Sequence, residues 1–137
     1  MRNRNAAKGW CRDGRKQPHH RLEVFHSAKA LVVELYGITR SYPSDELYGL
    51  TSQLRRGAVS VVSNISEGSA RDTDSDFLRF LYMARGSLHE IDAQLEISEE
   101  LHLLDGIDCS ELRRAFDRTS RQLQGLINKI KRDVQSP

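Results

Sequence analysis

A regular spacing of apolar side chains along the second half of the chain strongly limits how this sequence can fold. Between residues 77 and 98, apolar or small residues recur in alternating steps of four and three, at Phe77, Leu81, Ala84, Leu88, Ile91, Leu95 and Ser98. The same steps recur after residue 111, at Leu112, Phe116, Thr119, Leu123, Leu126 and Ile130. Each series is a heptad seam, which predicts a long helix packed along one face against other helices.

Two further segments show helical spacing, and capping signals separate all four. Pro43 ends the first segment, Ser44 is a candidate N-cap, and Thr73 precedes the third segment. The predicted helices cover residues 22–40, 44–70, 73–103 and 108–132. No stretch of useful length alternates with a period of two, so strands are not expected. Helices joined by short connections predict an all-α, up-down-up-down antiparallel four-helix bundle over residues 22–134.

Length and composition indicate one soluble domain. The 137 residues suffice for a single modest core, and no apolar run approaches the roughly 20 residues that span a bilayer. No apolar segment of a signal peptide follows the basic N-terminus, so we expect a cytoplasmic protein without membrane contact. Cys11 and Cys109 lack the spacing of a metal knuckle or redox pair and are expected to be reduced.

Charge is unevenly distributed along the chain. Residues 1–21 hold seven basic residues against Asp13, a net charge of +6, whereas the remaining residues carry 14 basic and 18 acidic side chains. We therefore expect a flexible basic tail whose Arg12, Arg15 and Lys16 could neutralise phosphates of RNA or DNA. A merely solubilising or vector-derived leader is the alternative.

The second and third helices carry more apolar or small surface than one bundle seam needs. The additional positions are Val59 and Val62 on the second helix and Leu78, Tyr82 and Gly86 on the third. Glycine inside a helix costs about 1 kcal/mol relative to alanine, which indicates that another surface approaches Gly86 closely. These five residues predict a helix-to-helix contact between copies of the chain. A wide core with ordinary surface leucines is the alternative.

Arginines and small polar residues accompany these stripes. Five arginines could contact phosphate or a neighbouring subunit: Arg55, Arg56, Arg71, Arg79 and Arg85. The structural alternative is pairing within the chain with Glu67, Asp72, Asp74, Asp76 or Glu90, and Glu67 is already at i,i+4 spacing from Arg71. Four polar residues are predicted to be structural: Gln53, Ser63, Asn64 and Glu67. Asn64 is expected to point inward and therefore to need hydrogen bonds.

Catalytic patterns are sparse. The spacing Glu-x-x-His occurs as Glu23 with His26 and as Glu99 with His102, and paired motifs of this kind hold di-iron centres in some bundles. In an up-down-up-down bundle these two pairs would lie roughly 35 Å apart, far from the roughly 4 Å that separates two bridged metals. His102 is instead expected at the end of the core. The sequence thus predicts no catalytic residues, no metal and no cofactor.

The runs "YGLTSQLRRGAVSVVSNISEGSAR" and "DFLRFLYMARGSLHEIDAQLEI" resemble the bacterial 23S rRNA intervening-sequence protein family over about residues 22–132. Val62 stands where family members commonly carry proline. The resemblance implies a cytoplasmic four-helix bundle that assembles as a homopentamer with a central channel. The chain is similar also to the accessory protein of diversity-generating retroelements, a basic pentameric bundle that binds nucleic acid and a reverse transcriptase.

These observations lead to one functional hypothesis and one alternative. The first is a non-catalytic homo-oligomer, expected to be pentameric, that binds nucleic acid or scaffolds a nucleic-acid enzyme, with phosphate contacts from Arg55, Arg56 and the tail arginines. The alternative is a protein-interaction module without nucleic-acid binding. The sequence leaves open whether Arg55 and Arg56 serve phosphate or a neighbouring subunit.

Overall fold

The protein is all-α in the part of the chain that the structure, a computed structural model, describes, namely Trp10 and residues 16–136. Its four α-helices are α1 (Glu23–Thr39), α2 (Leu50–Ser69), α3 (Asp74–Glu100) and α4 (Ser110–Gln135), and no strand occurs among the described residues. A short 3₁₀ helix, Pro18–Arg21, precedes α1 and is called the N-terminal turn below. None of the described helices combines the length and apolar character needed to cross a membrane.

The start of α2 differs from the sequence-based prediction. Residues Ser44–Glu46 form a separate 3₁₀ helix, and α2 begins at Leu50 rather than at Ser44. Gly49 interrupts the helix with non-helical backbone angles, φ −107° and ψ −116°. The Leu50 amide donates to Glu46 Oε2 at 3.1 Å, so a side chain of the preceding turn caps the new helix start.

The ends of α3 and α4 also shift by a few residues. Thr73 caps α3 as expected, because its Oγ1 accepts from the Asp76 amide at 3.2 Å. At the other end α3 stops at Glu100, since His102 adopts a left-handed backbone with φ 61°. His102 is exposed, so its predicted place at the end of the core is wrong. Asp108 accepts from the Ser110 amide at 2.9 Å, and α4 begins at Ser110 rather than at residue 108.

Each helix packs against two others. The neighbouring pairs are α1 with α2, α2 with α3, α3 with α4, and α4 with α1. Buried aliphatic side chains from all four helices form one core, and the largest of them with no exposed surface are Leu31, Leu35, Leu54, Ile65, Leu81, Ile91 and Ile127. Both predicted heptad seams contribute to this core, which is why their steps of four and three match the buried positions.

Small residues let α2 approach α3 closely. A methyl group added at Gly68 would lie 2.8 Å from Phe80 Cβ, and one added at Gly57 would lie 3.1 Å from Ile91 Cγ1. Farther along the same contact, the Ser60 and Ser87 hydroxyls are 3.0 Å apart. Gly57, Ser60 and Gly68 are therefore packing positions between α2 and α3.

Candidate interaction surfaces

Arg55 joins the C-terminal end of α1 to α2. Its Nε donates to Thr39 Oγ1 at 2.9 Å, its Nη2 lies 3.5 Å from the Tyr36 carbonyl, and its guanidinium stacks over the Tyr36 ring at 4.5 Å. Thr39 is 2% exposed, and its hydroxyl donates a hydrogen bond to the Leu35 carbonyl at 2.7 Å. Arg55 is consequently a structural side chain whose partners lie within its own subunit.

Arg71 and Arg79 share both an aromatic ring and a carboxylate. Their guanidinium carbons lie 4.6 and 4.5 Å from the centre of the Phe80 ring. Asp76 accepts from Arg79 Nε at 3.0 Å and lies 3.6 Å from Arg71 Nε. Of the carboxylates that the structural alternative named, Asp76 rather than Glu67 pairs with Arg71 and Arg79. Both arginines cover a buried ring rather than project freely.

Of the two remaining predicted arginines of the bundle, Arg85 has side-chain partners in the described part of the chain and Arg56 has none. Arg85 donates to Gln124 Oε1 at 3.2 Å and stacks over Tyr82 at 4.8 Å, which joins α3 to α4. Arg56 is exposed and no described residue forms a hydrogen bond or ion pair with it. Lys16 is exposed, while Arg12 and Arg15 lie outside the described residues.

The four predicted structural polar residues divide into two pairs. Gln53 accepts from Gln94 Nε2 at 3.2 Å. Asn64 donates to the Ser60 carbonyl at 2.9 Å, so its need for a hydrogen bond is met within α2. Ser63 and Glu67, by contrast, are exposed and contact no polar partner among residues 16–136. Their place beside Arg56 on the outer surface of α2 makes them available to another molecule.

The predicted oligomer stripe lies on two separate sides of the molecule. Tyr82, Met83 and Gly86 are exposed on α3, and Leu78 beside them is half-buried against the core; these four residues are called the α3 patch below. Nothing comes within 4 Å of a methyl group added at Gly86, so no part of the described chain explains this glycine. Val59 lies instead on the side of α2 that adjoins α1, and Val62 is half-buried against the core.

Val59 belongs to an open groove of about 500 Å³ between α2 and the segment before it. The groove is called the tyrosine groove below, and its lining residues are Tyr36, Leu47, Tyr48, Thr51, Ser52, Arg55, Arg56 and Val59. Tyr48 is 92% exposed and Leu47 is 49% exposed, a large apolar area for a surface with no partner. Sequence reasoning missed both residues because it placed them inside a continuous helix; the adjacent Gly49 was the available signal.

The N-terminal turn packs on the bundle, although the sequence assigned its residues to a flexible tail. His19 Nδ1 lies 3.1 Å from Ser66 Oγ on α2, and its ring is 4.3 Å from the Phe25 ring. Burial, followed by the positive neighbours His20, Lys29 and His26, lowers the pKa of His19 below its ordinary value of 6.5. Ser66 thus joins the N-terminal turn to α2.

The described residues offer little chemistry for catalysis. Among them, no group of three or more His, Cys, Asp or Glu side chains could hold a metal ion. Burial raises the pKa of the Cys109 thiol above its ordinary range, which opposes formation of the reactive thiolate. The surfaces that stand out among the described residues are the α3 patch, the tyrosine groove and the exposed cations.

Comparison with known proteins identifies a family for this architecture. The model of a family described as 23S rRNA-intervening sequence protein matches residues 20–125, from the N-terminal turn to the second half of α4. No curated protein matches the sequence.

Proposed function

The chain belongs to the 23S rRNA-intervening sequence protein family, and on that premise we propose a non-catalytic, homo-oligomeric bundle that binds nucleic acid. In this proposal the four helices run up-down-up-down and five copies close into a ring. The ring binds RNA or DNA, or holds a nucleic-acid enzyme on its template. The observation that carries the proposal is the presence of two unpartnered apolar surfaces on different sides of one small domain.

A closed ring requires such a pair of surfaces. Rotational symmetry sets the front of one subunit against the back of the next, so each copy contributes two different patches to heterologous contacts. The α3 patch and the tyrosine groove meet this requirement, since Met83 and Tyr48 are 48% and 92% exposed and belong to different helices or loops. We assign the α3 patch of one copy to the tyrosine groove of its neighbour.

Arg56 fits the rim of this contact. It lines the tyrosine groove and has no partner in the described chain, while exposed Asp74 and Glu90 flank the α3 patch along α3. An ion pair across the interface would fix the register between copies, even though exposed pairs contribute only about 0–1 kcal/mol. The proposal therefore gives Arg56 to a neighbouring subunit and leaves phosphate contacts to other cations.

Substitutions that add a charge to either patch test the assembly. Met83→Glu on the α3 patch and Tyr48→Glu in the groove should each convert the oligomer to monomers, as measured by light scattering after size exclusion. Ile97→Glu is the matched control, because Ile97 is also an exposed residue of α3, 49% accessible, but lies outside both surfaces. Loss of assembly in the control alone, or in none of the three, contradicts the proposed contact.

Nucleic-acid binding is tested by fluorescence anisotropy with labelled RNA and DNA. The +6 charge of residues 1–21 supports a sequence-independent contact that weakens as salt is raised. Deletion of residues 1–16 is the informative truncation, since it removes Arg12, Arg15 and Lys16 but keeps the N-terminal turn that packs on α2. The proposal predicts weaker binding after truncation, and an absence of binding by the full chain at low salt would refute it.

A protein-interaction module without nucleic-acid binding is the second candidate. The tyrosine groove supports it, because tyrosine and arginine are enriched where proteins bind one another. Capture from a lysate before and after nuclease treatment separates the two functions. Partners that persist after nuclease, together with no anisotropy change on RNA or DNA, would favour this alternative.

A further inference from the structure

The outer surface of α4 carries a line of positive charge that no sequence pattern had singled out. Within residues 110–135 there are seven basic and three acidic side chains, a net charge of +4, whereas residues 22–109 hold seven basic and fifteen acidic side chains, a net charge of −8. The basic charge of the bundle is therefore concentrated on one helix of four.

Five of these seven cations share one face of α4. They occur at helical spacings of four, three, eight and three residues and are called the α4 stripe: Arg114, Arg118, Arg121, Lys129 and Arg132. Residues three, four, seven or eight apart lie on the same side of a helix, and all five are exposed. Gly125 fills the gap between Arg121 and Lys129, and a methyl group there would meet nothing within 4 Å.

The α4 stripe is barely neutralised. Among the described residues, its only ion pair joins Arg114 to Glu111, an exposed contact between two side chains that are each about two-thirds accessible. Asp117 and the hydroxyl of Ser120 join Arg114, Arg118 and Arg121 around an open hollow of about 420 Å³. Unpaired arginines at the edge of such a hollow can present their planar donor pairs to a phosphate.

The length of the stripe suits a polyanion better than a single ion. From Arg114 to Arg132 it extends about 27 Å at 1.5 Å per residue. That length corresponds to about eight base pairs of duplex, since consecutive base pairs rise 3.4 Å. A surface that served only solubility would not need to separate acidic from basic side chains, because mixed charge of either sign achieves it.

We propose that the α4 stripe is a track for the sugar-phosphate backbone of nucleic acid, which it binds without reading sequence. This inference rests on the proposed nucleic-acid function and assigns it to a surface distinct from the tyrosine groove. The guanidinium groups contact successive phosphates, and Asn128 beside the stripe, whose Oδ1 accepts from Gln124 Nε2, adds its own amide donors at the same surface. Assembly and nucleic-acid binding then use different faces, so both operate in one particle.

A pair of matched variants tests the track. The first is Arg118→Gln with Arg121→Gln and Lys129→Gln, all within the stripe. The control is Arg40→Gln with Arg113→Gln and Lys131→Gln. It also removes three positive charges, from exposed positions outside the α4 stripe. A third protein keeps the stripe charge through Arg118→Lys, Arg121→Lys and Lys129→Arg. Circular dichroism and the thermal midpoint establish that all three fold.

The probes are a 24-base-pair RNA duplex, the same DNA duplex, each single strand, and vesicles of phosphatidylserine with phosphatidylcholine. For nucleic acid we expect the stripe variant to lose at least tenfold in affinity, and its salt slope to fall by about 2 to 3, because each cation accounts for roughly one released counterion. The control and the charge-retaining protein should change by less than threefold.

Each contrary result has a distinct meaning. Equal losses in the stripe variant and the control would overturn the track while leaving nucleic-acid binding by the full chain intact. No binding of RNA or DNA by the full chain would overturn the track and the proposed function together. Vesicle binding that depends on the stripe, without nucleic-acid binding, would assign the surface to a membrane and overturn the inference.

Discussion

At the scale of single residues, two adjacent arginines with identical chemistry have opposite roles. Arg55 is half-buried and tied to Thr39 and Tyr36, whereas the exposed Arg56 has no partner in the described chain. Arg55→Gln should lower the free energy of unfolding by about 1.5–3 kcal/mol, because buried Thr39 loses a charged donor. Arg56→Gln, the control, should change the stability of the subunit by less than about 0.5 kcal/mol. Chemical denaturation measures both, and equal effects would contradict the assignment.

His19 gives the N-terminal turn a dependence on pH. Burial lowers its pKa, so the folded state favours the neutral ring more than the unfolded state does. The stabilising contribution is therefore fully present above the ordinary value of 6.5 and is lost as pH falls toward the lowered pKa of the folded state. Hydrogen exchange at the N-terminal turn should accelerate as the pH falls below 6.5, after correction for the intrinsic exchange rate. In His19→Gln, the acceleration should be smaller, and an unchanged dependence on pH would exclude His19 as the cause.

At the scale of secondary-structure elements, the contact of α2 with α3 depends on the absence of side chains at particular positions. Gly68→Ala would set a methyl group 2.8 Å from Phe80 Cβ. Because Cβ is bonded directly to the backbone, rotation of the Phe80 side chain cannot move it away. We expect a loss of about 1–3 kcal/mol through overpacking. Gly37→Ala is the control, since no atom lies within 4 Å there and helix propensity should then stabilise α1 by up to about 1 kcal/mol. Thermal unfolding of the two variants should shift in opposite directions.

The heptad helices were predictable from the sequence, whereas the start of α2 and the side-chain contacts of the arginines were not. The heptad steps of α3 and α4 identified buried positions because core packing dictates them directly. The start of α2 was missed because the side chain of Glu46, four residues before Leu50, caps it, a contact that spacing does not reveal. The pairing of Arg71 and Arg79 around Phe80 depends on which side chains meet in space, so residue type alone could not separate these arginines from Arg56.

At the scale of the whole molecule, apolar and charged surfaces are distributed over different faces. The α3 patch and the tyrosine groove carry exposed apolar side chains, and the α4 stripe carries exposed cations, of which only Arg114 has an ion-pair partner among the described residues. The proposed assembly and the proposed nucleic-acid contact therefore use different faces of the subunit. The acidic excess of positions 22–109 belongs to elements other than α4, whose own net charge is +4, so α4 is the helix best suited to a polyanion.

The proposed ring forms only if the chain assembles with itself, and assembly would also repeat the α4 stripe once in each copy. The molar mass of the full chain, measured by light scattering after size exclusion at micromolar concentration, tests it most directly. Five copies of the 15.6 kDa chain predict a mass of about 78 kDa. A mass of 15.6 kDa that persists as the concentration is raised would contradict the account.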